Sequence, residues 1–256
     1  MQPSRDAITP ADAAAISQCL SPARISTYVK ACDATAAPSE LPVAALRLYQ
    51  WNVQVSAALM VPIHIFEVAI RNAAAEALEA VYGPQWPFED RLRNELPRTF
   101  NRYCPHRDLI QTATEHTLTG GVIAQLKLRF WEQIFTRRFE QRIWKKHLRR
   151  VLPNMDHSLP LKDRRGEVRA NIEKVRMLRN RVAHHEPIFG RHLAGELEAM
   201  RRLVMYRSAE LLSWFDSVED ASGFLCTHPL SPPAAAAGAN GNKADSLRTV
   251  EATTTP

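Results

Sequence analysis

The sequence predicts an all-α protein, an antiparallel helical bundle, on three observations. Glycine is scarce, nine in 256 residues, too few for a fold built on tight β-turns. No stretch alternates apolar and polar residues with the two-residue period of a strand. Apolar residues instead recur at three- and four-residue spacing, between prolines that end one segment and open the next. Apolar residues make up 45% of the chain and charged residues 23%, ordinary globular values. The length suffices for one or two domains with a real core.

The predicted helices follow in order. Pro10 opens a short one over residues 11–19, and Pro22 opens another over 22–31. A long helix covers 43–82; Pro62 should kink it, and Gly83-Pro84 ends it. Short helices fit 87–95 and 106–117. Thr119-Gly120-Gly121 makes a tight turn into a helix over 122–151, and Pro153 and Pro160 bracket a loop. A helix over 162–185 stops before Pro187, and a last one covers 191–218. The folded domain is therefore expected at residues 1–225. The remaining 226–256, rich in Ala, Pro and Thr, reads as a disordered tail.

Charge is unevenly placed. The net charge is +6. Residues 137–181 hold 15 Lys/Arg and 5 Asp/Glu, whereas the rest of the chain holds 18 basic and 22 acidic residues. A mildly acidic body thus carries one strongly basic segment, which concentrates polyanions such as RNA. Such a run alone is more often a solvated face. Here Phe130, Trp131, Phe135, Phe139 and Trp144 are interleaved with it, at a spacing that fits core better than stacking platforms. The four cysteines are scattered, which argues against a disulfide scaffold or a cysteine zinc site and fits the cytoplasm. The N-terminus leads into no apolar segment, so no secretory signal is expected. No uninterrupted apolar run approaches 18 residues, so no membrane association is expected.

The chemistry concentrates in residues 175–188. On a helix, Val168, Ile172, Val175, Leu178 and Val182 form one apolar stripe, and Arg179 falls inside it. A guanidinium there needs a carboxylate or a bound anion, unless it reaches out to water. Asn180 and His184 are four apart and share another face. Arg179 and His184 lie about 140° apart around the axis. They meet only if the helix distorts or if a two-fold dimer juxtaposes two copies. His184 falls in the last turn, where the negative end of the helix dipole attracts a positive imidazole. Arginine and histidine together suffice to cleave RNA without metal. The 2′-hydroxyl attacks phosphorus, histidine moves the proton, and arginine neutralises charge on phosphate.

Residues 178–188, LRNRVAHHEPI, resemble the signature of the Abi-like (abortive infection) family in the HEPN superfamily of helical-bundle ribonucleases. The motif positions fall on Arg179, Asn180 and His184. Residues 48–52 (LYQWN), 67–72 (EVAIRN), 120–126 (GGVIAQL) with Phe130-Trp131, and 24–28 extend the resemblance over roughly residues 20–215. It implies a HEPN-like bundle with additional helices and a metal- and cofactor-free endoribonuclease. Such a protein acts as a toxin in phage defence, works as a homodimer and is restrained by an RNA or protein antitoxin. On this reading Arg179 binds the scissile phosphate, His184 is the acid or base, and Asn180 positions phosphate or His184; His185 lies on a different face. Arg137, Arg138, Arg142, Lys145, Lys146, Arg149, Arg150 and Arg181 would hold the RNA backbone. The competing reading is a non-catalytic RNA- or protein-binding helical module.

Two further patterns bear on the site. Glu67 and Arg71 are four apart on the long helix, with Glu67 towards its apolar side. They read as an internal ion pair, or Glu67 orients Arg179 and Arg71 lines an RNA groove. His185-Glu186-Pro187-Ile188-Phe189 imitates a zinc-protease pattern but puts Phe189 at the second ligand and a proline in the helix, so no metal site is expected.

Overall fold

The computed structural model describes residues 8–99 and 103–230, and among these the fold is all-α, without a strand. The helices are α1 (Pro10–Cys19), α2 (Pro22–Cys32), α3 (Leu41–Tyr82), α4 (Asp90–Glu95), α5 (Pro105–Glu115), α6 (Thr119–Gln125) and α7 (Leu128–Ile134). A 3₁₀ turn (Arg137–Phe139) and a π turn (Glu140–Trp144) lead into α8 (Lys145–Val151). Then come α9 (Leu161–Ala183), α10 (Leu193–Arg207), α11 (Ala209–Val218) and α12 (Ala221–Leu225).

The 42-residue α3 is the spine, about 63 Å long at 1.5 Å per residue. Helices α1, α2, α7, α8, α9, α10 and α12 all pack on it. It runs through the buried Pro62, whose missing N–H leaves one helical bond unmade. An 18-residue window of α3 has mean hydropathy 1.8, enough by length and composition to cross a membrane, yet half of that window is buried in the bundle. Its inner face carries Leu48, Val55, Leu59, Phe66, Ile70 and Leu78, all fully buried.

The structure corrects two predicted helices. The one expected over 122–151 is broken into α6, α7, the 3₁₀ and π turns, and α8. The reason lies in adjacent large residues. Phe130-Trp131, Ile134-Phe135 and Ile143-Trp144 are all fully buried, and one straight helix cannot turn both members of such pairs repeatedly into one core. Folding back stacks Phe135 on Trp144 at 4.0 Å between centroids and lets Trp144 Nε1 donate to the Ile134 carbonyl at 2.8 Å. The helix expected over 191–218 is split at Ser208. That residue is extended (φ −164°), and its hydroxyl accepts from Leu211 N–H to cap α11.

The packed chain also continues past residue 225. Trp51 Nε1 donates to the Phe224 carbonyl at 2.9 Å, the His228 ring packs on Trp51 at 4.3 Å, and Leu230 leans on the core. The rest of the expected tail, 231–256, lies outside the described residues.

Candidate active site at the end of α9

The expected stripe of α9 is buried: Val168, Ile172, Val175, Leu178 and Val182. Arg179 is not within it. It sits at its edge, with 45% of its side chain exposed. Its Nε donates to Glu67 Oε1 at 3.2 Å, while Arg71 Nη2 donates to Glu67 Oε2 at 3.2 Å and Arg71 Nη1 to the Ala124 carbonyl at 2.9 Å. Glu67 is largely buried and divides its two oxygens between two arginines. Glu67 is thus paired with Arg71 and also holds Arg179. Arg179 is bound through Nε, and its two Nη groups have no partner among the described residues. A guanidinium fixed in this way presents a planar fork suited to a phosphate.

The helix ends in a specific way. The N–H of His185 bonds the Val182 carbonyl at 3.1 Å, and that of Glu186 bonds the Arg181 carbonyl at 2.8 Å. These are the two bonds of a Schellman cap. The residue that must turn left-handed in such a cap is His185 (φ +56°), where glycine is usual. Arg24 of α2 donates to the His185 carbonyl at 2.6 Å, and the buried Asn52 of α3 accepts from Ile188 N–H at 2.7 Å. Arg181 closes the turn, with Nη1 on the Pro187 carbonyl at 3.1 Å and Nε 3.4 Å from Glu186. Residues 178–188 thus form a helix stop gripped by two other helices. His184 is its cap residue and is exposed.

Arg179 and His184 make no contact with each other within the chain. Asn180 meets His184 through its backbone carbonyl, which accepts the His184 N–H at 2.9 Å. A groove of about 490 Å³ runs beside the cap, between Tyr49, Val53 and Met60 of α3 and Val182, Ala183 and His185. Val53 and Met60 are each about half exposed, and Val61 and Val68 continue the apolar stripe along α3. Deeper in, burial pushes the Tyr28 hydroxyl up to about 12, with Tyr49 adding to the rise and Arg24 opposing it.

The basic residues 137–150 are displayed as expected. Arg137, Arg138, Arg142, Lys145, Lys146, Arg149 and Arg150 are exposed, and the interleaved aromatics are core. Some carry internal partners: Arg138 reaches the Glu95 carbonyl, Arg142 the Glu95 carboxylate, and Arg150 the Glu76 carbonyl.

Sequence reasoning assigned no role to the most heavily paired carboxylate. Glu132 of α7 is fully buried and receives Arg129 at 2.8 Å, Arg176 at 2.7 Å and Arg169 at 3.5 Å. The signal was a lone glutamate inside the apolar run RFWEQIF, opposite arginines seven apart on α9. Arg165, also buried, repeats the device with Glu140 at 2.9 Å and the Phe135 carbonyl at 2.6 Å. The chain matches no known family model, no curated protein and no solved structure.

Proposed function

We propose that this chain is a HEPN-type endoribonuclease of the Abi-like kind, a cytoplasmic toxin of phage defence that cleaves RNA without metal. The observation that carries the reading is the pairing of Arg179 with Glu67, which holds a half-exposed guanidinium with both Nη groups unpaired among the described residues, on the helix whose braced end carries the exposed His184. Arg179 binds the scissile phosphate and neutralises the charge that builds on its oxygens. The 2′-oxygen attacks phosphorus, its proton passes to a histidine, and the 5′-oxygen leaves with a proton from an imidazolium. The products are a 2′,3′-cyclic phosphate and a 5′-hydroxyl, so no bond to water or metal is needed in this step.

Arg179 and His184 point to different sides of one helix, so the working site combines two copies. The apolar stripe Val53–Met60–Val61 beside the cap supports a homodimer across α3 and the end of α9. The exposed 137–150 residues hold the RNA backbone, and an antitoxin, RNA or protein, covers the site at rest.

The test is incubation of the purified full chain with total RNA in excess chelator, beside His184→Ala. Wild type should yield fragments with 5′-hydroxyl ends, and the variant none, with an unchanged circular dichroism spectrum. Equal cleavage by both removes His184 from the mechanism. A structured RNA retained uncut by wild type would establish the binding-module reading instead.

A further inference from the structure

A cavity of about 460 Å³ opens between Ala80 and Val81 near the end of α3, Arg91 of α4, and Gln141, Arg142, Lys146 and His147. Its last four members come from the π turn and α8. Gln141 and Lys146 are five residues apart, as are Arg142 and His147. In an α-helix that spacing places side chains about 140° apart. Here the chain takes the i→i+5 register, with Lys145 N–H bonded to the Glu140 carbonyl, and residues five apart come onto one side. Arg142 and Lys146, four apart, share a face on any α-helix; the π turn brings Gln141 and His147 towards that face.

The cavity is cationic. Arg142 has one carboxylate partner, Glu95, which also accepts from Tyr82 Oη at 2.8 Å. Arg91 lies 5.4 Å over the Tyr82 ring and donates to the Val81 carbonyl at 3.2 Å. Arg91 and Lys146 have no carboxylate partner among the described residues. Three cations thus face one carboxylate, with an amide and an imidazole beside them.

We propose that this cavity is a phosphate-binding site, formed by Arg91, Gln141, Arg142, Lys146 and His147. Its donors line one space, its charged members are all cations, and they are only partly neutralised, which is an arrangement that suits a phosphate dianion. It lies about 20 Å from Glu67 measured along α3, about six stacked nucleotides at 3.4 Å each. As a distal subsite for an RNA strand it rests on the nuclease reading; as an anion site it stands without it. Burial holds His147 below its ordinary pKa, and Arg150 and Lys146 push the same way. Arg91 and Arg142 face the same space, opposed by Glu95, so a bound dianion reverses the balance at the imidazole.

The test uses the full chain and sulfate, which keeps two charges across the pH range. Sulfate should saturate and raise the pKa of His147, followed by its ring NMR signals, while chloride at equal ionic strength should not. Lys146→Ala and Arg91→Ala should each weaken sulfate roughly tenfold. A 5′-mononucleotide should compete and its dephosphorylated nucleoside should not. Competition by a single-stranded RNA identifies backbone phosphate as the source, and failure of RNA to compete overturns the subsite role. Sulfate no better than chloride, or unchanged affinity in both variants, overturns the site. A chain that binds sulfate here but cuts no RNA refutes the nuclease alone, and cleavage without this binding refutes the site alone.

Discussion

His185 carries a conformational cost that a glycine would not. A left-handed residue with a Cβ is disfavoured by about 1–2 kcal/mol, part of which glycine loses again through the freedom of its unfolded chain. His185→Gly should therefore stabilise the protein by about 0.5–1 kcal/mol, read as a rise in melting temperature of about 2 °C. Cleavage should persist if His184 alone moves the proton. Glu67 acts through Arg179. Glu67→Gln should slow RNA cleavage roughly ten- to hundredfold by loosening the guanidinium, with RNA affinity less affected and the helical spectrum retained. A His147 held down by burial binds protons more weakly folded than unfolded. The unfolded chain then takes up more protons below about pH 6.5, so stability falls as pH drops through that region. Urea midpoints measured between pH 8 and 5 should fall less steeply in His147→Gln.

At the level of elements, α9 joins core to surface. One face is apolar and seals the bundle; its edges carry arginines clamped by carboxylates from α3 and α7. Each clamp fixes a long flexible side chain, which would otherwise lose rotamer freedom on meeting a ligand. Glu132 is the most exposed to disruption, because its loss leaves three guanidinium groups around an uncharged, buried space. Glu132→Ala should destabilise the fold by about 3 kcal/mol or more, measured by urea unfolding. The segment after α7 works differently. Its paired large residues force a reversal, and its π turn brings Gln141 and His147 towards the face that Arg142 and Lys146 share. Deleting one residue there should restore α spacing and weaken anion binding at the cavity before it abolishes folding.

Across the whole molecule, the basic segment and the apolar stripe of α3 are separate surfaces with separate readouts. RNA binding should weaken with salt, log K falling with a slope of about −3 if four to five phosphates are contacted. Met60→Glu should leave the monomer folded but lower the sedimenting mass towards one copy and suppress cleavage. The all-α class, the extent of α3 and α9, the buried stripe of α9 and the exposure of the basic residues among 137–150 were all legible in the sequence. They follow from local periodicity and proline stops, which act within a few residues. So was the Glu67–Arg71 pair, since its spacing is one helical turn. The breaks after α7 and at Ser208 were not legible, nor were the grip of Arg24 and Asn52 on the α9 cap and the arginines around Glu132. The partners of Arg24 and Asn52 lie 161 and 136 residues away, Arg169 and Arg176 reach Glu132 from another helix, and the breaks follow from how the core packs rather than from local periodicity. Sequence by itself determined which residues had to be buried and which charges had to be balanced. Only the tertiary structure decided which carboxylate balances which arginine, because a long charged side chain takes its partner from whatever element packing brings near it.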